Sequence, residues 1–118
     1  MWPFRSTDPN KQKEIKFREF EKDFGDSPEM LASTKATWLS SRGNSLGDRG
    51  KLDEAIQDFE EAIRVKPDHL PSHFSLAIAY QKKGMNEKAK SILEAAPEQM
   101  KVNGNVVATK ADMLNSLS

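Results

Sequence analysis

The chain has 118 residues, 36% hydrophobic and 31% charged, and its 18 Lys and Arg balance 18 Asp and Glu. That length supports one small domain, and the even charge gives no long-range attraction to nucleic acid or to an anionic membrane. With no cysteine, the chain has no disulfide staple, no thiol catalyst and no cysteine-ligated zinc, which suits a reducing, cytoplasmic setting.

The opening Met1-Trp-Pro-Phe-Arg holds two aromatics but no apolar run of signal-peptide length, and no stretch approaches a membrane span. Trp2 and Phe4 could dock onto a partner or onto the domain; fraying is the plainer reading. Residues 10–24 predict a helix, because Phe17, Phe20 and Phe24 fall at i, i+3 and i+7. Ser27-Pro28 then supplies a capping hydroxyl and a first-turn proline. The helix it starts runs to about Gly47 with Leu31, Leu39 and Leu46 as anchors, and it is long enough to bend near Ser33-Thr34. Asp48-Arg49-Gly50 predicts a tight turn. A helix from Asp53 to Val65 buries Ala55, Ile56, Phe59, Ala62 and Ile63, and Lys66-Pro67 ends it. A further helix over 70–83 carries Phe74, Leu76, Ala77 and Tyr80. Gly84 turns the chain, and Asn86 can cap a helix that ends at Ala96-Pro97. A last helix is expected over 105–117 with Val107, Ala111 and Leu114; no strand is expected anywhere.

An offset of 34 residues relates these segments. Gly50 recurs as Gly84, Ala55 as Ala89, Phe59 as Leu93, Ala62 as Ala96, Gly43 as Ala77 and Leu46 as Tyr80. A third step reaches Ala111 and Leu114. Small positions stay small and bulky ones bulky, as in helical stacks whose units bury their apolar faces against neighbours.

In these residues the chain resembles the tetratricopeptide-repeat proteins. The first unit supplies Gly43-x₂-Leu46, Gly50, Ala55-x₃-Phe59, Ala62 and Pro67. The second supplies Leu76-Ala77-x₂-Tyr80, Gly84, Ala89-x₃-Leu93 and Ala96. The resemblance implies an all-α fold: antiparallel helix-turn-helix repeats stacked as a short right-handed α-solenoid, with an additional N-terminal helix. Residues 1–27 would be a tail and added helix, 36–69 and 70–103 the two repeats within a domain spanning 28–118, and 104–118 a capping helix. Gly43 and Ala77 would let paired helices approach, and Ala55 and Ala89 would admit the neighbouring helix. Arg42, where the pattern has leucine, implies a partly polar face toward the N-terminal helix.

The resemblance also implies a concave groove that holds a peptide or helix of a partner protein. Its lining would be Thr37, Ser40, Asn44, Gly47 and Asp48 from the first unit. Phe74, Ile78, Gln81 and Lys82 would come from the second, and Ala108, Asp112 and Asn115 from the last helix. An exposed Phe74-Ile78 pair beside Asn44 suits a peptide with an apolar side chain more than a charged tail. The basic clamp for a terminal carboxylate is missing at Ser40 and Phe74. Two other patterns carry no chemistry. Ser45 stands where a phosphate-binding loop needs its first glycine, and His69 and His73, four apart, have no third metal ligand at convincing spacing. An interaction module without cofactor, metal or catalytic activity is therefore expected. The alternative is a self-assembly module that forms homodimers through its end helices, favoured if Trp38 or Val107 is exposed.

Overall fold

The computed structural model describes residues 8–117; Trp2 and Phe4 lie outside them. Its elements are α1 (Pro9–Phe24), α2 (Pro28–Asp48), α3 (Leu52–Val65), α4 (Leu70–Lys82), α5 (Asn86–Ala95), β1 (Gln99–Val102), β2 (Asn105–Thr109) and α6 (Lys110–Leu117). The starts of α1 and α2 follow local chemistry. Asp8 accepts from the Asn10 N–H before Pro9, and Ser27 Oγ accepts from the Met30 N–H before Pro28. No break occurs near Ser33-Thr34, and α2 runs unbroken for 21 residues. Asn86 does not cap α5: it is the first helical residue, and Met85 holds the cap position without a side-chain bond.

The 34-residue offset extends to backbone hydrogen bonds. Gly50 and Gly84 both adopt left-handed φ, 80° and 81°, which glycine reaches without a Cβ penalty. The Gly50 N–H donates to Gly47 O and the Lys51 N–H to Leu46 O; 34 residues on, Gly84 donates to Gln81 O and Met85 to Tyr80 O. These paired bonds satisfy carbonyls left over at the ends of α2 and α4 and fix the exit direction of the chain. The same turn therefore joins the two helices of each unit.

Packing follows from the small positions. A Cβ on Gly43 would lie 2.6 Å from Phe59 Cε1, so the ring of α3 rests directly on the backbone of α2. Ala55, Ile56 and Phe59 form one cluster with Leu76, Ala77, Ala79, Tyr80 and Ala89, joining both units. A second cluster, Ala36, Leu39 and Ala62, is covered by Phe17 of α1 together with Trp38 and Val65. Phe17 meets Trp38 edge-on at 6.1 Å, and Lys13 of α1 pairs with Glu61 of α3 at 2.7 Å. The leading helix thus covers the first end of the stack. Arg42 is the polar element expected there. Its guanidinium donates twice to Asp58, at 2.8 Å each, and once to Pro9 O at 2.7 Å, and it lies 4.7 Å from the Trp38 ring.

The C-terminal segment departs from expectation. Residues 105–109 are a strand, and the helix expected from Asn105 begins only at Lys110. Asn103 and Gly104 both take positive φ, 53° and 82°, giving the two-residue turn that Asn-Gly favours between antiparallel strands. A bulge sits opposite Met100/Lys101. The hairpin docks through Met100 and Ala108, and with Met113 of α6 it covers Leu70, Phe74 and Ala96. Lys110 Nζ reaches the Glu94 and Ala96 carbonyls at 3.1 and 3.3 Å, capping the end of α5.

Two packing predictions follow from these contacts. Gly43→Ala should destabilise by about 1–2 kcal/mol net of the helix propensity gained, by crowding Phe59. Adding Phe59→Leu, which copies the Ala77/Leu93 pair of unit two, should recover part of that loss; urea unfolding of the double-mutant cycle checks the coupling. Asp58→Ala should cost about 3 kcal/mol by stranding a largely buried guanidinium, whereas Arg42→Met with Asp58→Leu should sit close to the parent in the same measurement.

Candidate functional site

Helices α2 and α4 are the first helices of the two units, and the seam between them is the first candidate. Gly43, Asn44, Gly47, Asp48, Leu52 and Phe59 form one wall, and Ser75, Ile78, Ala79 and Lys82 form the other, around about 60 Å³ of open space. Five positions expected in the groove (Asn44, Gly47, Asp48, Ile78 and Lys82) converge here. The floor is the Gly43–Phe59 contact. The rim carries an amide, a carboxylate and an ammonium, with Ile78, 38% exposed, as its apolar element. No residue of α1 lines this seam.

The remaining expected positions fall elsewhere. Ser40 and Phe74 are each 4% exposed, so neither offers a free side chain to a ligand, and the exposed Phe74-Ile78 pair is reduced to Ile78. Phe74 is turned inward because the hairpin packs over it. Thr37 borders a shallower cavity of about 400 Å³ with Phe20, Ser33, Thr34, Trp38 and Ser41, and its hydroxyl lies 3.4 Å from His69 Nε2. Gln81 lines a different, larger cavity on the outer side of α4 and α5. Ala108 belongs to β2 and packs on the Phe74 cluster, while Asp112 and Asn115 are exposed on α6. Trp38 is half-buried under Phe17, whereas Val107 is 54% exposed.

The larger cavity, about 460 Å³, is lined by Phe74, Ala77, Ile78, Gln81, Asn86, Ala89, Lys90 and Leu93. Asn86, Ala89, Lys90 and Leu93 were not among the expected binding positions. The repeat offset applied to the lining of the α2/α4 seam finds Asn86 and Leu93, from Leu52 and Phe59, but not Ala89 or Lys90.

Between the two units, Lys66 and Asp68 fasten the hairpin, and His69 follows them. The buried Lys66 ammonium donates to Lys101 O at 2.8 Å and pairs with Asp68 at 2.9 Å, while Asp68 accepts from the Lys101 N–H at 2.8 Å. The loop thus engages both backbone groups of one β1 residue, as a neighbouring strand would. Desolvation pushes the Asp68 carboxyl upward, but the Lys101 N–H and the Lys66 charge outweigh it, so its pKa falls below the usual value. His69, 2.6 Å from Ser72 Oγ, is lowered from 6.5 to about 4, first by burial and then by the Lys66 charge, with Asp68 opposing and His73 adding to the fall. His73 faces away from it, on Pro67 O at 2.8 Å.

A depressed histidine pKa means that folding favours the neutral ring. From pH 6.5 down to about 4 the unfolded chain holds more protons, so stability should decline by an amount on the order of 3 kcal/mol across that window. Asp68 adds its own loss only below 3.8, as pH falls through its lowered folded value. Urea midpoints measured against pH should show the first slope in the parent protein and a flatter line in His69→Gln.

Stacked helix pairs, identical glycine turns and an exposed seam between first helices define a helical-repeat scaffold. A family model described as Tetratricopeptide repeat matches residues 48–113, more than half of the chain, and the protein belongs to that family. It is accordingly a protein–protein interaction module. Comparison with curated proteins and with solved structures found no match. No helix among the described residues is long and apolar enough to cross a membrane.

Proposed function

We propose that the protein is an adaptor that holds a segment of a partner protein in the seam between α2 and α4. The observation that carries this reading is the convergence of Asn44, Asp48, Ile78 and Lys82 from two repeats on one cleft. The cleft is narrow and shallow, so it suits an extended segment better than a helix. Ile78 meets an apolar side chain, and Asn44 can both donate to and accept from the segment's backbone. Asp48 and Lys82 on opposite walls favour a peptide carrying both signs of charge over a strongly acidic or basic tail.

Selection of binders from a displayed random-peptide library tests the reading. Binders should weaken about tenfold on Ile78→Asp and on Asp48→Lys, and severalfold on Asn44→Ala, with melting unchanged. Binders indifferent to Asn44 and Asp48 would place the function elsewhere.

A further inference from the structure

The cavity on the outer side of α4 and α5 has a counterpart within the same molecule. Gly43, Asn44, Gly47, Leu52 and Phe59 line the unit-one side of the α2/α4 seam. Shifted by the repeat offset of 34, these become Ala77, Ile78, Gln81, Asn86 and Leu93, all of which line the outer cavity. The unit-one face and the unit-two face therefore occupy equivalent positions in the repeat, one with a helix lying on it and the other without. Where α4 lies, about 60 Å³ is left open; where its equivalent would lie, about 460 Å³ is. The chain's own third segment does not take this place. Residues 99–109 form the hairpin, which with Met113 covers only the Leu70–Phe74–Ala96 end of the face.

The occupant can be read from α4. On unit one, α4 presents Ser75 and Ala79, small residues four apart, at the seam, with Ile78 and Lys82 at the rim. In that seam Lys82 stands opposite Asp48. One repeat later the host residue at the Asp48 position is Lys82 itself, and Lys90 lines the cavity with no carboxylate in the lining. The host charge is reversed, so the guest charge must be reversed too. A second copy of this chain docked through the same face would bring together two linings that each carry Lys90 and no carboxylate.

We infer that the open face of α4 and α5 is a berth for one amphipathic helix of another protein, with Ala or Ser four residues apart on its apolar stripe and Asp or Glu where α4 carries Lys82. The berth is separate from the α2/α4 seam and shares only Ile78 with it. Asn86 to Leu93 on α5 offer about two helical turns of contact, beside Ala77 to Gln81 on α4.

The test uses the full chain and two synthetic peptides with the sequence of residues 70–82, each held helical by a lactam bridge on its solvent side. One keeps the lysine equivalent to Lys82 and the other carries Lys82→Glu. Fluorescence anisotropy should show saturable binding of the glutamate peptide, about tenfold tighter than the lysine peptide. Gln81→Glu with Lys90→Glu in the protein, both at exposed positions, should abolish that preference, whereas Asn44→Ala should leave it intact and so separates this berth from the seam. Equal binding of the two peptides, or saturation by neither, would overturn the inference. So would sedimentation showing self-association that Lys90→Glu disrupts, which would make a second copy the occupant.

Discussion

The contact between the Phe59 ring and the backbone at Gly43 sets the distance on which the rest of the stack depends. With no Cβ in the way, α3 lies close enough to α2 for Ala55 and Phe59 to present one continuous surface to α4. Unit two divides the volume differently, with Ala77 on one helix and the smaller Leu93 packed against the same cluster from the other. The two solutions are interchangeable in bulk but not in shape, because a flat ring can lie on bare backbone and a branched aliphatic cannot fill the same slot. Both the α2/α4 seam and the outer cavity lie on surfaces that these helix pairs create.

Charge is used sparingly and locally. Arg42 replaces an apolar residue at the interface with α1, yet its planar fork is matched by Asp58, a helix carbonyl and the face of Trp38, so its burial leaves no donor stranded. Lys66 does the equivalent for the hairpin. Both cations join an element outside the two repeats to the repeat body, at positions where an apolar contact would have fixed position but not orientation. Hydrogen bonds supply that direction.

How much of this was legible in the sequence varied with the range of the signal. The repeats, their turns and their small positions were readable because Gly50, Gly84, Ala55 and Ala89 have backbone and packing roles that few other residues can fill. The capping of α2 by Ser27-Pro28 was equally local. The hairpin was missed although Asn103-Gly104, flanked by Val102 and Val106-Val107, is a strong short-range turn signal. The repeat period pointed the other way, toward a third first-helix at Ala111 and Leu114, and turn chemistry prevailed over it. The groove residues divided along the same line. Asn44, Asp48, Ile78 and Lys82 line one cleft at positions that the family resemblance implied, whereas Phe74 and Ala108 depended on where the diverted C-terminal segment would pack.

The arrangement of the two ends bears on how the molecule can assemble. Head-to-tail growth into a filament needs an acceptor surface at each extremity, because every added copy must offer a fresh one. Here Phe17 seated against Trp38 closes the leading extremity from within the chain, and the diverted tail leaves only part of the other exposed. Under the binding mode inferred above, a partner that adds at that remaining surface would end the series instead of extending it.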